Sequence, residues 1–233
     1  MDLVFDIGFN VGDFTKVCNT KHNNCKVVGV EANPDLFNNI NTNNFKNLTL
    51  INMLVSDRDY DLEKLFIDPR QSGISTASNE FMSNSRFIKG SKNVTPASQV
   101  WTDLKMVQTI TIDRLIEEYG TPDLIKIDVE GYELQVLKGL SKKCGKVCFE
   151  WHEEMLEDAI QCINHLESIG YTSFSSIGYY DNLNEIKKLT FSNSGDPYML
   201  EPDTYYSSKE LIEELVRTSD KDRRINYGML WGK

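Results

Sequence analysis

Leu3-Val4-Phe5-Asp6-Ile7-Gly8-Phe9-Asn10-Val11-Gly12 begins with an apolar run, sets a carboxylate near its end, and follows it with two glycines. The run reads as a buried first strand, and Asp13 to Lys21 as the helix after it. Glycine in the turn between them lets the backbone take positive φ and approach a ligand closely. Strand, glycine turn and helix in that order are the setting of a nucleotide-binding loop. The spacing Asp6-x-Gly8-x-Asn10-x-Gly12 differs from the G-x-G-x-x-G fingerprint, which seats a pyrophosphate on a helix N-terminus. A carboxylate at the strand end is instead placed to attract a charged amino-acid group. An adenosine cofactor with a methionine tail carries such a group and a dinucleotide does not. A purely structural turn is the competing reading.

Working outward, Lys26 to Glu31 (KVVGVE) is a second buried strand ending in Glu31, nineteen residues after Gly12. An acidic residue at about that distance hydrogen-bonds ribose hydroxyls in doubly wound folds. Ala32 and Asn33 follow, and Pro34 takes the favoured first position of a helix, with Asn33 the natural cap. Leu48 to Val55 reads as a third strand, and Ser56-Asp57 at its end forms another edge of the same crevice, with Asp57 able to accept from an adenine amine. A surface turn explains Ser56-Asp57 nearly as well.

Residues 68–108, rich in Ser, Asn, Gly and Thr, interrupt the alternation and are expected to form a substrate or lid insertion. The alternation resumes with a helix from Thr111 to Tyr119 stopped by Gly120, a strand Asp123–Asp128, a helix Tyr132–Leu140 and a strand Lys146–Trp151. A long helix, Glu153–Ile169, follows. Strands at 171–179 and 188–191 and a helix from Ser207 to Thr218 with a capping box complete the reading. Strands alternating with amphipathic stretches predict an α/β domain spanning 1–233, a parallel sheet covered by helices.

The most specific stretch is Ile125-Lys126-Ile127-Asp128-Val129-Glu130-Gly131-Tyr132-Glu133, continuing to Val136-Leu137-Lys138-Gly139. Together with DIGFNVG at 6–12, VGVEANP at 28–34 and VCFEWHEE at 147–154, it resembles the FkbM-type methyltransferases. Thr111-Ile112-Asp113-Arg114-Leu115 also fits; Asn226 to Leu230 fits more loosely, and 156–224 are not covered. The resemblance implies a Rossmann-like class I methyltransferase fold, with a mostly parallel seven-stranded sheet and helices on both faces. It implies S-adenosylmethionine as cofactor, S-adenosylhomocysteine as product, and a hydroxyl acceptor, often on a sugar or glycan. It implies that Asp6, Gly8, Asn10, Gly12, Glu31 and Asp57 line the cofactor and that the Asp128 region faces the methyl group. Phe14, Thr15, Ala32, Asn33, Ser56 and Asp128 complete the expected cofactor set.

Removing a hydroxyl proton calls for a general base, or for a divalent cation that lowers its pKa. The candidates are Asp128, Glu130, Glu150 and His152. Glu150 and His152, two apart on a strand, share one face. His152 is the best base on intrinsic pKa, against the commoner role of a lone histidine as a structural hydrogen-bonding residue. Asp128, Glu150 and His152 together would suit magnesium or manganese. For Asp128 and Glu130 the competing reading is a cap of the following helix. Trp101, Tyr179, Tyr180, Tyr205 and Tyr206 are candidates to stack on sugar faces, although aromatics more often serve cores.

The formal net charge of −10 opposes a nucleic-acid substrate, and Lys142, Lys143 and Lys146 read as a solvated face. A nucleic-acid methyltransferase is one alternative; a cofactor-binding scaffold without turnover is another. Cys18, Cys25, Cys144, Cys148 and Cys162 are odd in number and lack a C-x-x-C pair, which predicts reduced, partly buried thiols. No stretch approaches the roughly 20 apolar residues of a membrane span, and no signal-peptide pattern opens the chain, so a soluble cytoplasmic protein is expected. The sequons at Asn47 and Asn93 matter only in a secreted protein. A first strand beginning within two residues of Met1 suggests a minimal family member or a domain of a larger glycan-building enzyme.

Overall fold

The structure, a computed structural model, describes residues 1–88, 97–178, 189–191, 202–219 and 227–233. The strands are β1 (Leu3–Ile7), β2 (Lys26–Val30), β3 (Leu48–Ile51), β4 (Leu54–Val55), β5 (Leu62–Ile67) and β6 (Asp103–Ile110). They continue with β7 (Leu124–Ile127), β8 (Lys146–His152), β9 (Phe174–Gly178), β10 (Leu189–Phe191) and β11 (Tyr227–Gly232). The helices are α1 (Asp13–Lys21), α2 (Pro34–Asn39), α3 (Asn79–Asn84), α4 (Ala97–Val100), α5 (Ile112–Tyr119), α6 (Glu133–Lys138), α7 (Leu156–Ser168) and α8 (Ser208–Thr218).

The main sheet runs β10-β9-β11-β8-β7-β1-β2-β3, eight strands where the resemblance implies seven: β10 at the edge matches the strand expected at 188–191, and β11 is one that residue order did not predict. All neighbouring pairs are parallel except those of β11, which lies antiparallel between β8 and β9. β1 is central, so both of its faces are covered and its residues alternate between two cores. Phe5 and Ile7 join the core that holds Leu137, Ile163, Leu166 and Leu211 of α6, α7 and α8. Val4 joins the opposite one with Phe14 and Cys18 of α1. From β1 the chain moves outward to β2 and β3 on one side, while β7 and β8 lie on the other. That reversal puts the crevice for a ligand beyond the carboxyl ends of β1 and β7.

The expected strand 48–55 is two strands. β3 stays in the main sheet, whereas β4 pairs with β6 in a small sheet ordered β4-β6-β5. At the break the Asn52 amide donates to the carbonyls of Glu31 and Ala32, 2.8 and 3.2 Å away, and so ties the chain to the end of β2. The described residues of 68–108 form more regular structure than the composition of the segment suggests. They carry α3, α4 and β6, and Ile74, Phe81, Val100 and Trp101 form a core of their own with Met155. Trp101 is therefore buried, its indole N–H bonded to the Ile74 carbonyl. The capping box of α8 is present, both of its bonds formed between Ser207 and Glu210. The five cysteines are free and buried. Among the described residues no helix is long and apolar enough to cross a membrane. Tyr179, Tyr180, Asn226 and the sequon at Asn93 lie outside the described residues.

Gly8 fixes how closely β1 and β7 meet at the crevice. Its φ is +75°, and a Cβ there would lie 1.8 Å from the Asp128 carbonyl oxygen, backbone that cannot step aside. Gly8→Ala combines a left-handed conformation with that overlap and is expected to cost at least ~2 kcal/mol. Urea unfolding checks this; a variant as stable as the parent would contradict it.

Candidate active site

Lys126 is the only charged residue of β7, a strand buried along its whole length. A lysine rarely enters such a place without partners. Its ammonium donates to the Gly8 carbonyl at 2.7 Å and lies 3.2 Å from Asp6 Oδ1 and 3.7 Å from Asp128 Oδ2. Burial acts to lower its pKa, but Asp6 and then Asp128 outweigh that, and it stays above its ordinary value. The other Asp6 oxygen accepts from Thr15 Oγ1 at 2.7 Å. Asp6, fully buried, thus sits beneath the glycine turn, bound to Thr15 and Lys126 rather than on the crevice wall. Lys126 is the functional residue that sequence reasoning passed over, although a lysine inside an apolar parallel strand was the signal.

Above this knot a cleft opens beyond the ends of β1, β2 and β7, with the 68–108 segment as its far wall. Of the expected cofactor residues, Gly8, Asn10, Glu31, Ala32 and Asp128 line it. Glu31 accepts the Asn10 N–H at 2.7 Å on one oxygen and the Asn33 N–H at 2.8 Å on the other. Each carboxylate oxygen keeps a further lone pair for a ligand hydroxyl. Burial raises the Glu31 pKa, opposed by those two backbone donors. Apolar walls come from Met53, Val55 and Leu65, and Tyr132 adds its phenol 3.2 Å from Ser56 Oγ. Ser72 Oγ donates to Asn10 Oδ1 at 3.1 Å, so the 68–108 segment closes directly on the glycine turn.

The remaining expected cofactor residues stand off the wall. Gly12, at φ +77°, starts α1. Phe14, a residue of α1, packs in the core with Val4 and Leu124, and Asn33 caps α2 by accepting from Asp35 and Leu36. Ser56 is buried behind Tyr132, while the exposed Asp57 pairs with Arg58. Tyr205 and Tyr206 do not line the cleft either: Tyr205 lies under Lys233, and Tyr206 bridges to Phe174.

At the far end, the turn after β7 and the end of β8 bring Asp128, Glu130, Glu150 and His152 together. His152 Nε2 lies 3.1 Å from Glu150 Oε2 and 3.8 Å from Glu130 Oε2. Glu130, rather than Asp128, completes the group of potential metal donors with Glu150 and His152. The reason is the backbone: Glu130 has φ +54° and Gly131 φ +84°, a turn held by Thr76 Oγ1 donating to the Glu130 carbonyl at 2.7 Å. Burial and then the Glu150 carboxylate push Asp128 and Glu130 well above the usual carboxylate range. Burial presses Glu150 upward too, but His152 outweighs it and holds that carboxyl low. Arg86, a second residue missed in the sequence, lies against His152 Nδ1, pairs with Glu154 at 3.4 Å and covers the Tyr227 ring at 4.1 Å.

The chain matches the family described as "Methyltransferase FkbM domain" over residues 6–173. It is 31% identical over 151 residues to the hexuronic acid methyltransferase AglP of Haloferax volcanii, covering 64% of this chain and 54% of that protein. The chain thus spans about half the length of the curated relative it matches. Among solved structures, a precorrin-6y C5,15-methyltransferase from Geobacter metallireducens overlays with a TM-score of 0.44 at 12% identity, covering 99% of this chain and 79% of that one. The plantazolicin methyltransferase BpumL, solved with S-adenosylhomocysteine, overlays at 0.37 and 9%, covering 100% and 76%. Both overlays are loose.

Two outcomes follow from the buried charges. Lys126→Met leaves Asp6 buried without its cation and is expected to cost about 3–5 kcal/mol. Adding Asp6→Asn should recover much of that loss, a coupling that a double-mutant cycle in urea measures. Glu133, whose carboxyl accepts the Val129 N–H, is pushed up to about 7 from 4.5, chiefly by burial. A raised carboxyl contributes its stability in full below the unfolded value and loses it as pH rises through about 7. Glu133→Gln should therefore be more stable than the parent near pH 8 and gain little near about pH 5. Equal gains at both would contradict the shift.

Proposed function

The chain belongs to the FkbM methyltransferase family, and on that footing we propose that it transfers the methyl group of S-adenosylmethionine to a hydroxyl oxygen of a sugar of the uronic acid class. The ribose hydroxyls bind Glu31, the base lies among Met53, Val55 and Leu65, and the sulfonium faces the Asp128 end of the cleft. The acceptor class follows the name of the relative AglP. The carrying observation is the acidic end of the cleft, where Asp128 and Glu130 stand on the wall with Glu150 behind them. Such a wall takes up a proton from a hydroxyl and repels a carboxylate, so the methyl group goes to a hydroxyl, with the sugar's own carboxylate turned outward.

In the reaction the hydroxyl oxygen attacks the methyl carbon, the carbon–sulfur bond breaks in line, and S-adenosylhomocysteine leaves. Positioning supplies much of the acceleration. The hydroxyl proton passes to Asp128, the carboxylate that faces both the cleft and the Lys126 ammonium. A carboxyl held above its ordinary range is a stronger base than an ordinary one. His152 is 3% exposed with Arg86 on Nδ1, which suits it to holding Glu150 rather than meeting the acceptor.

The test is methyl transfer from labelled S-adenosylmethionine to oligosaccharides ending in glucuronic or galacturonic acid. Alkali-stable label on the sugar is expected. Label removed by mild alkali marks a methyl ester and overturns the hydroxyl assignment, and absence of label on any uronic acid overturns the acceptor class. Asp128→Asn should lower kcat by ~10²–10⁴-fold while S-adenosylhomocysteine still binds. The parent's kcat should rise with pH along a limb above the ordinary carboxylate range.

A further inference from the structure

We propose that Glu130, Glu150 and His152 form a binding site for one divalent cation, matched best to Mn²⁺, beside Asp128 at the acceptor end of the cleft. One donor atom from each residue lies within 4.8 Å of the other two. The His152 Nε2 to Glu150 Oε2 separation of 3.1 Å is already that of adjacent ligands on a small cation, since bonds of about 2.1 Å at right angles put neighbouring donors about 3 Å apart. Closing the 3.8 Å gap from His152 Nε2 to Glu130 Oε2 takes only a small side-chain shift.

The independent observation is that these same atoms lack hydrogen bonds. Glu130 Oε2, Glu150 Oε2 and His152 Nε2 are buried, and none makes a hydrogen bond of good geometry; Arg86 Nε, Trp151 Nε1 and Glu154 Oε2 nearby share that state. His152 is 3% exposed and Glu150 9%. Three polar atoms converging on one point without hydrogen bonds are a costly arrangement for a fold to keep empty. Local charge points the same way. Asp128, Glu130, Glu133, Glu150 and Glu154 gather here against two fixed cations, Lys126 and Arg86. Lys126 is engaged by Asp6 and the Gly8 carbonyl, and Arg86 by Glu154. Two carboxylates and an imidazole suit Mn²⁺, which accepts both donor types, better than Mg²⁺, which favours oxygen alone.

Arg86 adds a condition. A guanidinium has only donors, so while it lies on His152 Nδ1 the proton of the neutral ring sits on Nε2. A cation needs the Nε2 lone pair. Loading the site therefore moves the ring proton to Nδ1 and displaces the guanidinium, which keeps Glu154 and the Tyr227 ring. Arg86 thus competes with the metal, and a glutamine in its place, whose side-chain carbonyl accepts from Nδ1–H, favours it. In the proposed transfer reaction the cation would polarise the acceptor hydroxyl; that role rests on the proposed function, and the site itself does not.

The experiment is titration of the chelator-treated full chain with Mn²⁺ alone, without cofactor or acceptor, read by electron paramagnetic resonance and calorimetry. One saturable site is expected, with Mg²⁺ a weaker competitor. Glu150→Gln should weaken it about tenfold or more, and Arg86→Gln should tighten it several-fold, a gain that misfolding cannot produce. No saturable Mn²⁺ site in either the parent or Arg86→Gln overturns the proposal. So does unchanged affinity in a Glu150→Gln protein that melts cooperatively. Because binding is read without either substrate, failure of methyl transfer and failure of the cation site are separate results.

Discussion

Everything at the site hangs on one buried ammonium. Lys126 reaches across from β7 to Asp6 on β1 and to the Gly8 carbonyl just past it, and its field extends to Asp128 just beyond the end of its own strand. The central strand pair is thereby cross-linked where the sheet reverses direction, and the glycine turn is pinned from below. Asp6 does not reach the cleft directly. It gives Lys126 a reason to be buried, and Lys126 in turn sets the charge beside the base. A fold that places an ion pair so deep relies on both partners being present, since either one alone is a buried, uncompensated charge.

The segment between β5 and β6 completes what the sheet begins. Ser72 bonds to Asn10 on the cofactor side, and Thr76 holds the left-handed turn at Glu130 on the acceptor side. Phe81 packs on Gly131, where a Cβ would be 2.7 Å from it, and on the His152 ring. One covering element therefore touches both halves of the proposed reaction. Its position fits a role in excluding water from the transfer, because a hydroxyl acceptor competes directly with solvent.

Much of this was legible in residue order. The strand–turn–helix at 3–21, the cap at Asn33, the stop at Gly120 and the capping box at Ser207 follow from local rules, and local rules fixed them. What escaped was set by distant partners. The break at Asn52 depends on carbonyls of Glu31 and Ala32. β11 inserts between β8 and β9, and nothing in residues 227–232 names those neighbours. In the site, side-chain type told which residues were chemical but not which way they faced. Glu31 and Asp128 reach the cleft; Asp6, Thr15, Asn33 and Asp57 serve the frame around it or face solvent. Glu130 joins Glu150 and His152 only because its backbone takes a left-handed turn, which a glutamate in a sequence does not announce.

The central claim is that the cleft beyond β1 and β7 holds the methyl donor with its reactive end toward Asp128. A crystal structure with S-adenosylhomocysteine tests it most directly. The account predicts ribose hydroxyls within hydrogen-bond distance of Glu31 and the sulfur directed at the Asp128–Glu130 wall. The nucleoside bound instead at the opposite end of the sheet, in the cleft between Phe14 and Trp231, would contradict it.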